Sequence, residues 1–318
     1  MTASLPQEVR DCFEHFVTTE FTRIDARQQP ITWPVTPYYS PGGPTIDVTT
    51  GLGYPKKADD ARRNPRVALL FSDPTGSGLK RKTAVLVQGA ADVDERDLDA
   101  NAERYDREST HKLPSVKRQR PPKFMRGPLR WYYARIYIMV RPERVFVWPD
   151  GDSRVEPQLL DTRLDEVRSG HAEEPLTPHA PAAGGEIAWD TRIDELGDRY
   201  PEAVLSWVAP DGFPLAVRLP VTVDRGTRRI RIDAEPAGLP LTEGRACLTA
   251  HSHSSNSGWG ENFQLRGDLV AGDGGWELTP HKLIGGLEMP KGLKRYRTMA
   301  QYQWRFYKTA RARLKARG

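Results

Sequence analysis

Two lysines at the start of a predicted helix are the clearest anion-binding residues in this sequence of 318 residues. Lys56 and Lys57 follow Gly51 and Gly53, and residues 54–64 have the polar composition of a short helix. Cations beside the free N–H groups of a helix start can bind a phosphate. A lysine pair at such a position is also commonly just solvated, so these residues alone leave both interpretations open.

A cysteine and two histidines form a second group with possible chemistry. Cys247, His251 and His253 have the same parity on a predicted strand, so they would project from one face of it. A His-x-His pair can ligate a metal ion or haem iron. Cys247 would lie about 20 Å from His253 along an extended strand and could not share an ion with it without a sharp bend. His281 could be a third ligand only if the fold brought it close. The alternative is that the histidines lie on the surface or line a site, and we assign no metal site.

No catalytic acid or base is assigned. The sequence contains neither a Ser/His/Asp signature nor a Gly-rich nucleotide-binding fingerprint after a predicted strand.

The composition excludes several classes of protein. The chain has 47 Lys+Arg and 42 Asp+Glu, for a net charge of +5, and only 2 Cys, which excludes a disulfide scaffold and a multi-Cys zinc module. The apolar stretches are much shorter than the roughly 20 residues that cross a bilayer. No N-terminal signal sequence is recognised, so we expect a cytoplasmic protein.

The positive charge is concentrated in two segments. Residues 291–318 contain ten Lys or Arg and residues 112–135 contain eight, and neither segment has an acid, so the rest of the chain is acidic. Interleaved aromatic and basic side chains can indicate nucleic-acid binding. The predicted C-terminal helix, however, has apolar residues at three- and four-residue spacing, which is typical of a docking face. We therefore do not expect nucleic-acid binding, and peripheral contact of this helix with an anionic membrane stays open.

Short β-prone runs dominate both halves of the chain, and a Pro-, Gly- and Ala-rich segment separates them. The predicted organisation is an N-terminal domain at 1–149, a linker at 150–190 and a C-terminal domain at 191–318.

The two halves have similar motifs in the same order. Pro-Val-Thr occurs at 34–36 and 220–222, and a later strand carries Gln88-Gly89 in one half and Arg266-Gly267 in the other. Because the corresponding motifs lie about 180 residues apart throughout, we interpret the halves as diverged copies of one unit.

The first copy resembles a known family over residues 20–93. The motifs that carry the resemblance are PITWPV (30–35), DVTT (47–50), GLGYPKKA (51–58), RRNP (62–65), RVALLF (66–71) and VQGAA (87–91). This run is similar to the pyridoxamine 5′-phosphate oxidase-like FMN-binding split β-barrel superfamily of flavin- and deazaflavin-dependent oxidoreductases. The resemblance implies a mainly β fold, a β-barrel with peripheral helices. The repeat then implies two tandem split β-barrels resembling a fused dimer, since family members are usually homodimers with the cofactor between two barrels.

The same resemblance implies an oxidoreductase that binds FMN, or the deazaflavin coenzyme F-420, and transfers hydride or electrons to a small organic substrate. The chain would then be a monomeric pseudo-dimer or a homodimer. The resemblance implies three sets of cofactor-binding residues. The first binds the phosphate, the second consists of a strand along the flavin edge and an inward glutamine from another strand, and the third lies in a loop of the second copy. These residues are Thr49, Thr50, Lys56 and Lys57; Trp33, Pro34, Val35 and Gln88; and Trp259 and Asn262.

The second copy departs from the pattern at residues 235–245, which contain no lysine and two acids. We therefore expect one working site, on the first copy. The alternative functions are a non-catalytic haem- or flavin-binding protein, or a barrel without cofactor that acts through its basic surface.

Overall fold

The computed structural model describes residues 5–113, 130–161, 186–255, 261–272, 274–286 and 294–316. The expected site residue Trp259, most of the basic segment after residue 112 and most of the expected linker lie outside these ranges. In the parts that are described, no helix combines the length and the hydrophobicity needed to span a bilayer.

The chain is mainly β, as predicted. The first half has the strands β1 (Thr19–Ile24), β2 (Pro30–Val35), β3 (Tyr38–Tyr39), β4 (Ile46–Gly51), β5 (Arg66–Phe71), β6 (Ala84–Asp94), β7 (Arg135–Trp148) and β8 (Gln158–Asp161). The second half has β9 (Glu202–Val208), β10 (Pro214–Asp224), β11 (Arg229–Ile232), β12 (Gly244–His251), β13 (Asn262–Gly272) and β14 (Gly275–Gly285). The helices are α1 (Gln7–His15), α2 (Lys56–Arg63), α3 (Leu98–Lys112), α4 (Arg130–Tyr133) and α5 (Lys294–Lys315), with a 3-10 turn at Ile193–Glu195.

The two halves differ in closure, which the prediction of two similar barrels did not anticipate. The first half is a curled eight-stranded antiparallel sheet with the order β2-β1-β5-β6-β7-β4-β3, and β8 pairs with β7. The second half is a closed barrel with the order β10-β11-β14-β13-β12-β9. β8 lies within the segment expected as a linker, and the domain boundaries stay a prediction.

The free edge of β2 explains why the first sheet stays open. The Thr32 carbonyl accepts hydrogen bonds from the Thr249 hydroxyl at 3.1 Å and from the Gln264 side-chain amide, both from the second half. The Thr32 hydroxyl is also hydrogen-bonded to that of Ser206 at 2.7 Å. Side chains of the closed barrel thus satisfy an edge that would otherwise pair with another strand.

The hydrophobic core has two parts. One lies against one face of the first sheet and includes Val67, Leu69 and Phe71 of β5. The other is continuous with the closed barrel and includes Ala68 and Leu70 from the opposite face of the same strand. Because both faces of β5 are buried, its sequence is an unbroken apolar run rather than an alternating one.

Candidate functional site

The expected phosphate site lies where β4 passes into α2. The predicted short helix is confirmed, and it begins at Lys56 behind Pro55. In the preceding loop, the Thr50 hydroxyl donates to the Tyr54 carbonyl at 2.9 Å, and the Gly53 N–H donates to the Trp131 carbonyl at 3.0 Å. The Gly53 bond holds the loop against α4, and the Thr50 bond closes the loop on itself just before α2.

Lys56 forms an ion pair with another residue of the same helix. Its ammonium lies 3.0 Å from both carboxylate oxygens of Asp60, and 59% of its side chain is exposed. Asp60 is almost fully buried and also receives the guanidinium groups of Arg23 and Arg63. A carboxylate shared by three cations has no capacity left to neutralise a fourth.

Lys57, the adjacent residue, has a different environment. Among the described residues it makes no hydrogen bond and no ion pair, and it is half-buried. Desolvation, together with the smaller effects of the nearby guanidinium groups of Arg23 and Arg135, lowers the pKa of its ammonium to about 7. Lys57 thus lies beside two guanidinium groups, of which Arg23 is paired with Asp60.

The two arginines present unused donors at this point. Within the described chain, Nη1 of Arg23 and Nε of Arg135 are buried and have no hydrogen-bond partner. Arg135 lies over the rings of Tyr105 and Tyr132, with its guanidinium carbon 3.9 and 4.4 Å from the ring centroids. Because an unpartnered buried donor is costly, a cluster of them is typical of a site for an anionic ligand.

The second half contributes a fourth cation. Arg266 of β13 is close enough to Arg23 to lower the pKa of the Arg23 guanidinium, in addition to the larger effect of desolvation. Arg266 also donates through Nε to the Gln264 side chain at 2.8 Å. The cationic cluster, defined as Arg23, Lys57, Arg135 and Arg266, therefore lies between the two halves. Its charge and unused donors suit a phosphate.

The strand expected along the flavin edge lies next to this cluster. In the β1–β2 ladder Arg23 pairs with Ile31, and Phe21 pairs with Trp33. Trp33 and Pro34 are half-buried, whereas Val35 is buried in the core of the first half. Thr49 is half-buried on β4, one residue before Thr50.

Gln88 and Asn262 lie elsewhere. Gln88 is buried and donates to the Pro214 carbonyl of the second half at 2.9 Å, and its Oε1 has no partner among the described residues. Asn262 begins β13, where it pairs with His251 at the end of β12. Of the expected residues, Lys57 alone belongs to the cationic cluster, whereas Gln88 lies at the contact between the halves and Asn262 at the start of β13.

Arg23, Arg135 and Arg266 are the site residues that sequence reasoning missed. The signal for Arg23 was a charged residue inside the buried strand TEFTRI. Arg135 had been counted only as part of the basic segment. Arg266 had been noted only as a repeat position, and nothing local distinguishes it.

Comparisons with known proteins give a structural match only. No family model matches the sequence, and no curated protein matches it. Solved structures with the pyridoxamine 5′-phosphate oxidase-like split barrel match about half of the chain. One, a putative pyridoxamine 5′-phosphate oxidase from Listeria innocua, is 18% identical, covers 45% of this chain and 96% of its own, and has a TM-score of 0.32.

Two other matched structures have different described ligands. An F420 reductase is 17% identical, covers 44% of this chain and 98% of its own, and has a TM-score of 0.33. A haem-binding protein from Mycobacterium smegmatis is 12% identical, covers 50% of this chain and 60% of its own, and has a TM-score of 0.34. At these identities and scores, the matches carry no conclusion about the ligand or the reaction of this chain.

Proposed function

We propose that this chain is an oxidoreductase that binds FMN, or the deazaflavin coenzyme F-420, through the cofactor's phosphate at the cationic cluster. The observation that carries the proposal is the meeting of Lys57, Arg23 and Arg135 with buried donors that have no partner among the described residues. A phosphate supplies acceptors for these donors and charge for these cations. The motif resemblance of residues 51–71 to the FMN-binding split barrels supports the same placement.

In this proposal the chain's own residues bind and orient the cofactor. Lys57, Arg23 and Arg135 hold the phosphate, and the half-buried segment of β2 at Trp33 and Pro34 lies along the ring. Arg266 covers the phosphate from the second half. When bound, a flavin or deazaflavin supplies hydride transfer to a small organic substrate.

We further propose that the halves are a tandem duplication, which explains a site between them. The strand order β2-β1-β5-β6-β7-β4 in the first half corresponds to β10-β9-β12-β13-β14-β11 in the second. Each half has a register shift at equivalent positions, between Gln88 and Gly89 and between Arg266 and Gly267. These positions are the ones that the sequence motifs pair.

The test is cofactor binding by two adjacent lysine variants. The purified protein is examined for flavin, deazaflavin or haem absorbance and then titrated separately with FMN, F-420 and haem. Lys57→Met is expected to weaken binding of the preferred flavin at least about tenfold, since it removes a cation from the phosphate. Lys56→Met is the matched control. We expect its affinity for the cofactor to stay within about twofold of the wild type, because Lys56 is paired with Asp60 and does not bind the phosphate.

The outcomes separate the alternatives. A protein that takes up none of the three compounds contradicts the proposal, and so does equal loss of affinity in the two variants. Uptake of haem with a Soret band, unaffected by Lys57→Met, would support the haem-binding alternative instead.

A further inference from the structure

Two histidines and an aspartate that do not belong to the cationic cluster meet at the contact between the two halves. Asp73 follows β5 in the first half, His251 ends β12 in the second, and His253 lies two residues farther on. One potential ligand atom from each of the three residues lies within 4.8 Å of the other two. The imidazole rings of His251 and His253 are stacked, with centroids 6.2 Å apart and an interplanar angle of 21°.

The hydrogen bonds of His253 leave one nitrogen facing a carboxylate. Its Nε2 lies 3.1 Å from the Thr75 carbonyl, which can only accept, so Nε2 carries the proton. Nδ1 is buried and lies 3.2 Å from Oδ2 of Asp73, yet no hydrogen bond to a described residue satisfies it. At this distance an Nδ1 lone pair and a carboxylate oxygen repel each other unless a cation, either a proton or a metal ion, lies between them.

His251 is held in the way that metal ligands commonly are. Its Nε2 lies 2.7 Å from Oε1 of Glu20 and 2.9 Å from Nη2 of Arg218. The buried Glu20 carboxylate in turn receives Arg218 at 2.8 Å and the Ser72 hydroxyl at 3.0 Å. A histidine that binds a metal usually donates its other ring N–H to a carboxylate or a carbonyl. His251 has a carboxylate partner, Glu20, and His253 has a carbonyl partner, that of Thr75.

We propose that Asp73, His251 and His253 bind one divalent transition-metal ion, with Zn²⁺ as the preferred ion. Two imidazole nitrogens and one carboxylate oxygen are a ligand set that suits Zn²⁺ and leaves a coordination position open. The ion links the first half, through Asp73, to the second. This inference goes beyond the proposed function and does not depend on it.

The other residues considered in the sequence do not join this cluster. Cys247 is buried and has its sulfur 3.6 Å from the Thr249 hydroxyl. His281 is hydrogen-bonded through Nε2 to Asp268 at 2.8 Å. Among the described residues no third ligand joins that second His–Asp pair, which therefore provides a matched control.

The test is metal titration of the full chain after dialysis against a chelator. Zn²⁺ is titrated by calorimetry, and Co²⁺ is titrated by visible absorption, which reports four- or five-coordinate geometry. We expect one ion per chain, a rise in melting temperature with Zn²⁺, and at least about tenfold weaker binding in His253→Ala and Asp73→Asn. His281→Ala is expected to bind Zn²⁺ like the wild type.

Two results would overturn the inference: no Zn²⁺ or Co²⁺ binding by the wild type up to about 1 mM metal, or unchanged affinity in both His253→Ala and Asp73→Asn. Circular dichroism identifies variants that do not fold, and His253→Gln then replaces His253→Ala. Lys57→Met should retain Zn²⁺ binding, so failure of the flavin proposal and failure of the metal proposal are distinguishable.

Discussion

At the scale of single residues, two adjacent lysines of the same helix have opposite roles. Lys56 is exposed and paired with Asp60, whereas Lys57 is half-buried beside two guanidinium groups. The difference arises from helix geometry, because neighbouring residues project about 100° apart around the axis. One lysine therefore balances the buried Asp60 and the other adds to a positive cluster.

The lowered pKa of Lys57 predicts a specific dependence of stability on pH. The ammonium has a pKa of about 7 in the folded chain and 10.5 as its ordinary value. Between these values the unfolded chain binds a proton that the folded chain lacks, so the free energy of unfolding rises with pH. Relative to Lys57→Met, the wild type is expected to gain on the order of a few kcal/mol between pH 7 and about 10.

Urea denaturation at several pH values measures this gain in the free energy of unfolding. Lys56→Met is the control and should show the same gain as the wild type. Parallel pH profiles for the wild type and Lys57→Met would contradict the assignment. A bound phosphate-bearing cofactor should reduce the gain, because its charge favours the ammonium form.

At the scale of elements, the loop before α2 is shaped by close packing. A Cβ on Gly53 would lie 2.6 Å from Cβ of Phe306 on α5, so only glycine allows this approach. Phe306 stacks on Trp131, with centroids 5.1 Å apart, and also contacts the ring of Tyr54. The C-terminal helix thus uses its apolar residues for docking, as its sequence spacing predicted. Trp304 on the same helix remains 60% exposed.

The register shifts at Gly89 and Gly267, which we call the two bulges, give a specific prediction about the strands. A Cβ on Gly89 would lie 2.1 Å from the Arg141 carbonyl oxygen, and a Cβ on Gly267 would lie 2.0 Å from that of Thr279. Gly89→Ala and Gly267→Ala are each expected to lower the free energy of unfolding by about 1–3 kcal/mol or more, because backbone must move. Chemical denaturation measures the loss.

Gly274→Ala is the control for these two variants, since no heavy atom lies within 4 Å of its added Cβ. We expect a change of less than about 0.5 kcal/mol there. If Gly89→Ala were as stable as Gly274→Ala, the close approach at the bulge would be wrong.

At the scale of the whole molecule, the two halves share buried surface and polar contacts. Leu86 and Trp148 of the first sheet belong to the core that fills the closed barrel. Glu20 receives Arg218 across the contact, and Gln88 donates to Pro214. The first sheet alone would expose an apolar face and an unpaired edge at β2, so the halves stabilise each other.

Because the core crosses the contact, the chain is expected to unfold in one cooperative transition. In differential scanning calorimetry, Leu86→Ala should shift this single transition as a whole, with a loss of about 2–5 kcal/mol. Two separate transitions, only one of which moves in Leu86→Ala, would show instead that the halves unfold independently.

Part of the fold and of the site could be predicted from sequence. The predicted short helix at Lys56 and the β-rich halves both depend on local patterns. The opening of the first sheet could not be predicted, because it depends on side chains of Thr249 and Gln264 reaching an edge more than 200 residues away in sequence.

By itself the sequence determined the period-two strands, the short helix with its lysine pair and the apolar docking face of α5, since each follows from spacing over a few residues. Tertiary structure decided which lysine turns inward and which cations join it. Arg23, Lys57, Arg135 and Arg266 come from four separate elements, and Asp73 meets His253, which lies 180 positions later in the chain. Such meetings depend on strand pairing and packing between distant segments, which no local pattern encodes.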